Sequence, residues 1–457
     1  MKRYHPRKVM SLTMVCLTLV LALAACGGND GTSEKTNATT NGADGANSSA
    51  TSGGPSDNKK LSGSIEVGTL NTEPDAIEKS VAEQIMKNNP GTDIKFVFVN
   101  TKARPSIDQR WRAGNPPTID YQIFNGMIPK TYDFVKQDKI LDLTPYLKQK
   151  AADQDMTWEE TFLPNIKPML TYEGKYYAIP VNVSIFVLYY NKKMFDDLGL
   201  TPPKTWDDFL AVCEVLKKNN IDPVAVTGQF NPYMQMWTDY LLQREAGYDE
   251  TVKAMRGGGF KNNPKFLEAA RKLEDMVKKG YFLKGFEGTD FTAAQMAYIQ
   301  GKAGMILMGS WLSSEMKEST PKDFQMGVVP FPAINGGQGK QDAMHGSAIM
   351  MSVAKSDKNP DLAIEYMKQM TSKSIQTRMA NEQNIIPAIK GVEISDRVIG
   401  LKDALGSGDL VMRYLGIEND TELFNNYGVA VSKLFFGKIT AEQFIDEIDG
   451  IARKYGK

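Results

Sequence analysis

The chain holds 457 residues, 42% of them hydrophobic and 24% charged, an ordinary globular composition at a length that favours two domains or lobes over one. Its 54 basic and 54 acidic residues cancel, and setting aside the four basic residues among the first 25 leaves a balance of about −4. No further run of lysine and arginine occurs, which sets nucleic acid aside as a partner, because phosphate binding needs clustered cations.

In chain order, Lys2, Arg3, Arg7 and Lys8 lead into an apolar run, Val9 to Ala22, which ends at Leu23-Ala24-Ala25-Cys26-Gly27. A basic start, a short apolar stretch and small residues at its end predict a secretion signal over 1–25. The run is shorter than the roughly 20 apolar residues that a spanning helix needs. The segment resembles a bacterial lipoprotein signal, which implies cleavage before Cys26 and acylation of its thiol. An ordinary cleavable signal with a chance cysteine, or a short anchor, are the plainer alternatives. Gly27 to Lys60 contains no Val, Ile, Leu, Met, Phe, Trp or Tyr and cannot bury a core. With Cys26 it reads as a linker over 26–60, whose root-mean-square span as a coil is about 30–35 Å. The expected location is outside the cytoplasm, lipid-anchored to the outer face of the cell membrane.

From Leu61 onward, short apolar runs alternate with amphipathic stretches. Predicted strands are Ile65–Leu70, Ile94–Val99, Ile119–Phe124, Ile185–Tyr190, Met305–Met308 and Ile349–Val353. The second is apolar on both faces, as suits a parallel strand covered by helices. Helices are predicted over Ala76–Lys87 and over Pro264–Lys279, the latter stopping at Gly280. A third runs from Asn359-Pro360 to Met370, and a fourth opens on the capping-box spacing Thr440-Ala441-Glu442-Gln443. The alternation argues an α/β fold. Cys213 falls at helical spacing with Phe209 and Leu216 and reads as core filler.

Beyond the signal the chain keeps one histidine, His345, and its single remaining cysteine after Cys26 is Cys213, so neither an internal disulfide nor a multi-histidine metal site is available. HExxH, CxxC, GxSxG and GxxxxGK[ST] are all missing, and Gly336-Gly337-Gln338-Gly339-Lys340 reads as a turn. No cofactor, metal or catalytic set is expected. Aromatic and amide residues instead gather in Gln229–Tyr240 and in Gly309-Ser310-Trp311, stretches that read as loops between elements. Flat rings beside short polar side chains suit a sugar, which offers apolar C–H faces rimmed by hydroxyls. Trp311, leaving a strand through Gly309, is read as exposed; Trp237 fits a stacking platform or a core position equally.

Three blocks, Gly174–Pro180, Leu188–Phe195 and Pro203–Phe209, resemble the family 1 extracellular solute-binding proteins of ABC importers, the group that includes maltose-binding protein. Gln300–Met305 leading to Gly309-Ser310-Trp311, and Val328–Pro332, extend the resemblance, and Gln295–Glu315 with Asp323-Phe324 is most similar to N-acetylglucosamine and diacetylchitobiose binders. The resemblance implies a two-lobed, periplasmic-binding-protein-like (type II) α/β fold that closes on a carbohydrate, with an N-lobe over 61–182 and 346–388 and a C-lobe over 183–345 and 389–457. The crossings would fall near Val181–Ile185, His345–Ala348 and Ile386–Lys390. Candidate ligand contacts are Trp311, Trp237, Tyr233, Glu315, Glu73 after the first strand, Asn125 after the third, and His345 at a crossing. Glu73 and Asn125 are also compatible with solvated loops, and His345 with a hinge cap. The implied partners are the membrane, through the lipid, and the transmembrane subunits of an ABC permease, with the chain itself a monomer. An exported glycoside hydrolase, needing two carboxylates about one bond, and a receptor for a non-sugar solute are the competing readings.

Overall fold

The computed structural model describes residues 60–456 apart from 71–72, 100–102, 125–130, 165, 167–169, 384, 395–397, 399, 407 and 418–419. The signal segment, Cys26, all but the last residue of the linker, and Asn125 therefore lie outside the described residues.

The main sheet is built from β1 (Gly63–Thr69), β2 (Thr92–Phe98) and β3 (Ile119–Phe124), then from β6 (Ile179–Asn191), which follows a small hairpin of β4 (Thr171–Tyr172) and β5 (Lys175–Tyr176). It continues with β7 (Asp222–Ala225), β8 (Ala303–Gly309), β9 (Met326–Val329), β10 (Met344–Val353), β11 (Ile386–Pro387) and β12 (Leu410–Met412). The hydrogen-bonded order is β2-β1-β3-β10-β6-β8-β7, with β11 and β9 on β6 and β12 on β10. β1 runs parallel to β2 and β3, as the apolar run at Ile94 predicts, but within β2 only Ile94 is buried, so this strand is not covered on both faces. β10 is antiparallel to both β3 and β6.

Two hydrophobic cores sit on this sheet. The first gathers Val67, Ile77, Trp111, Trp158, Ile179, Met350 and Tyr366. The second gathers Val187, Phe209, Trp237, Met305, Phe331 and Phe435. β6 serves both. Its residues up to Ile185 pair with β10, and from Phe186 it pairs with β8 and β9. β10 changes sides likewise, pairing with β12 at Met344–Gly346 and with β3 from Ala348. The third crossing is β11, bonded to Val183 and Asn182 of β6, and its continuation Ala388 and Ile389 is buried in the second and first core respectively.

Local sequence explains the helices. Asp75 caps Ala76–Asn88, and Glu78 returns the bond to the Asp75 backbone, while Ile77, Val81 and Ile85 form the buried stripe. Pro264–Lys278 begins on the Asn263 side chain and buries Phe266, Ala270 and Leu273; the chain then leaves through Gly280 at φ +60°, where glycine carries no steric cost. Thr440 and Gln443 form the capping box that opens Ala441–Tyr455. Cys213 is fully buried, and burial pushes its thiol well above the ordinary range. None of the described helices is long and apolar enough to cross a membrane.

One expectation fails. The stretch from Asn231 onward is the helix Asn231–Ala246, with Pro232 in its first turn, and every residue from Tyr233 to Ala246 is buried. A helix packed on all sides shows no apolar stripe, so its periodicity is invisible in the sequence.

Candidate ligand site

At the end of β8 the chain turns at Gly309-Ser310 into Trp311, which precedes the short helix Leu312–Glu315. The indole lies back over Gly309: a Cβ there would stand 2.1 Å from the ring, so only glycine leaves room for it. The ring meets Phe186 of β6 edge to face at 5.2 Å. Phe186 in turn faces Tyr233 at 6.3 Å and Tyr414 at 6.1 Å. Tyr233 is flanked by Phe230 and Phe291, at 5.6 and 5.0 Å, and Phe230 is 44% exposed. Trp311 is itself half-buried, so the corner offers aromatic surface to solvent backed by a solid core.

Polar groups rim this shelf. The Trp311 indole donates toward the Tyr233 hydroxyl, and Arg413, Tyr414 and Glu315 are close enough to act on that hydroxyl electrostatically. Burial, the largest cause, holds the Tyr233 phenol well above its ordinary value, so it stays protonated and able to donate. The Arg413 guanidinium lies 4.8 Å from the Tyr414 ring centre and 5.7 Å from that of Phe186. Glu315 is exposed and accepts a bond from Gln295 Nε2 at 2.8 Å. Such an arrangement can stack a flat apolar ligand face and hydrogen-bond its edge; it carries no nucleophile–base pair and, among the described residues, no cluster of metal ligands.

The backbone beside the shelf is strained. Tyr414 and Leu415 take φ values of 49° and 56°, and Gly416 follows at 64°, three left-handed residues in succession. Each non-glycine residue in that region costs about 1–2 kcal/mol. Burial of both side chains, with Tyr414 packed on Phe186 and Phe424, holds the turn in place.

The structure thus brings together Trp311, Tyr233 and Glu315. Trp237 stands elsewhere: it is 1% exposed, enclosed by Phe209, Phe282 and Phe331 at 5.6–5.9 Å, and is a core residue rather than a platform. His345 is also buried, against Tyr240 at 4.4 Å and Tyr248 at 6.2 Å. Neither of its ring nitrogens has a well-formed hydrogen bond, the Met412 backbone being the polar group beside it. Burial, with the Arg244 charge adding to it, pushes its pKa down to about 3, so the buried ring is neutral. Glu73 is exposed in a bend after β1. Asn125 lies outside the described residues. Phe186, Arg413 and Tyr414 escaped the sequence reading, and Phe230 was included only within the stretch Gln229–Tyr240; the signal available for Phe186 was its place next to the predicted crossing Val181–Ile185, whereas Arg413-Tyr414 carries none.

Comparison with known proteins supplies the family. The model of the bacterial extracellular solute-binding proteins matches residues 68–377. The chain is 25% identical over 323 residues to a diacetylchitobiose-binding protein of Streptomyces coelicolor, covering 67% of this chain and 66% of that one. It is 25% identical over 342 residues to a multiple sugar-binding protein of Streptococcus mutans, 72% of this chain and 76% of the relative. Among solved structures, a chitin oligosaccharide binding protein superposes with a TM-score of 0.72 at 24% identity, covering 86% of this chain and 99% of its own. The two cores are accordingly the two lobes of a type II binding-protein fold. This chain belongs to the bacterial extracellular solute-binding family, a family of binding proteins rather than enzymes.

Proposed function

We propose that the chain captures a carbohydrate, an oligosaccharide or amino sugar, between its lobes and presents it to the transmembrane subunits of an ABC importer. The observation that carries this reading is the Trp311 shelf: a half-buried indole braced by Phe186 and Tyr233, rimmed by Glu315 and the Arg413-Tyr414 turn. Relatives that bind diacetylchitobiose and other sugars support it. In this reading the N-lobe comprises 61–182 and 346–388, and the C-lobe 183–345 and 389–457. Glu73 and Asn125 would approach the sugar from the N-lobe, whose parallel strands end there, as ligands of open α/β sheets are met. Cys26 carries the lipid, and the linker over 26–60 leaves a monomeric receptor free to open, close and dock; a Cys26→Ser chain then leaves the detergent phase on partitioning.

The test is a melting-temperature screen across saccharides, with N-acetylglucosamine and diacetylchitobiose included. A ligand that binds only the folded state at a hundred times its Kd stabilises by about 2.7 kcal/mol, a shift of several degrees. At least one saccharide is expected to produce it; a flat response to all of them, with a peptide or polyol raising the curve instead, would overturn the carbohydrate reading.

A further inference from the structure

The three crossing strands are held from the two cores by two buried side chains. On the second core, the Tyr240 hydroxyl donates to the Phe186 carbonyl of β6 at 2.6 Å and accepts the His345 amide of β10 at 2.9 Å. One oxygen thereby ties two crossings together where each enters that core. Ser310 reinforces the same end: its amide donates to the Ile185 carbonyl at 2.8 Å and its hydroxyl accepts the Ile185 amide at 3.3 Å. On the first core, the Gln376 amide group donates to the Val181 carbonyl of β6 at 2.8 Å, while its carbonyl accepts the Ala388 amide beyond β11 at 3.0 Å. Tyr240 and Gln376 are both fully buried.

Between these two pins lie Asn182, Val183 and Ser184 of β6, opposite Ile349, Ala348 and Ser347 of β10 and flanked by Ile386-Pro387 of β11. Val183, Ala348 and Ile386 of this stretch still belong to the cores, and its looser points are the polar side chains between them. Asn182 Oδ1 is buried with no hydrogen-bond partner, and Asn182 and Ser184 are the only two residues of β6 that are not buried. Gly346 lets the strands approach closely: a Cβ there would stand 3.2 Å from the Ser184 carbonyl.

Resting on the reading of lobe closure above, we propose that Tyr240 and Gln376 are positioning residues that confine the bending of all three crossings to Asn182–Ser184 and the segments beside them. A pin on each side makes the crossings move as one pivot, because each pin holds two strands at once. Without a pin, its strands can bend deeper into that lobe and the lobes sample a wider range of openings.

The test needs no ligand, so it stands apart from the sugar assignment. Spin labels are placed at Lys87→Cys and Lys218→Cys, exposed positions on helices of the two cores, in a Cys16→Ser, Cys26→Ser chain with the buried Cys213 kept. Tyr240→Phe and Gln376→Met are each expected to widen the interlobe distance distribution about 1.5-fold while the melting curve shows a folded chain. Tyr366→Phe, which deletes an equally buried hydroxyl that has no hydrogen-bond partner, is expected to leave the width unchanged. The proposal is overturned if neither pin variant widens the distribution, or if Tyr366→Phe widens it as much. The variants act from opposite lobes, so one that fails to fold leaves the other to decide.

Discussion

Trp311 and Trp237 belong to the same lobe and to sequence stretches of similar aromatic and amide content, yet one is half-buried and the other is closed inside a core. The difference lies in what each ring is packed against. Trp237 points into the angle between Phe209, Phe282 and Phe331 from a helix buried on every side. Trp311 leans on strand backbone at Gly309 and on one edge of Phe186, which leaves its outer face open. Side-chain type sets what a residue is able to bind; long-range packing sets whether it meets solvent at all.

The largest effect that separates the two is on stability. Trp237→Ala empties a closed site and is expected to cost about 3–5 kcal/mol in urea unfolding, with the affinity of the remaining folded protein nearly unchanged. Trp311→Ala should do the reverse, lowering the affinity for a stabilising saccharide by about 10- to 100-fold, near 1.5–3 kcal/mol, at a stability cost of about 1 kcal/mol or less. Equal losses from both substitutions would place Trp311 in the core.

His345 extends the comparison to a third ring. Its folded pKa of about 3 lies below the ordinary 6.5, so between those values the unfolded chain binds a proton that the folded chain does not. The stability from this group is whole above pH 6.5 and falls as acid is added, by about 1.4 kcal/mol per pH unit. The urea midpoint should therefore drop less steeply from pH 6.5 to 5 in His345→Leu than in the parent chain; parallel slopes would mean that the imidazole meets water in solution.

Much of this was legible in the sequence because it is written locally. The parallel strands announce themselves as runs such as Ile94–Val99, and the helix caps at Asp75 and Thr440 as short spacings. Crossing segments were legible through family resemblance; Gly309 was legible as a special position, but it makes room for an indole folded back over it and half-buried rather than exposing the ring. What stayed hidden depends on distant partners. The helix Asn231–Ala246 has no stripe because it has no solvent face. β10 reaches back to Met344 through His345, Gly346 and Ser347, residues of weak strand character that are paired only because β6 and β12 lie alongside. The left-handed turn at Tyr414-Leu415 is imposed against local preference by the burial of its side chains.

Acrylamide quenching of tryptophan fluorescence tests the shelf most directly. Of the five tryptophans, Trp111, Trp158, Trp206 and Trp237 are buried and Trp311 alone is half-buried, so a single accessible component should report on it and vanish in Trp311→Phe. A saccharide that raises the melting temperature should also shield that component from quencher. If such a saccharide binds while Trp311 remains fully quenchable, the sugar sits elsewhere and the shelf is not its site.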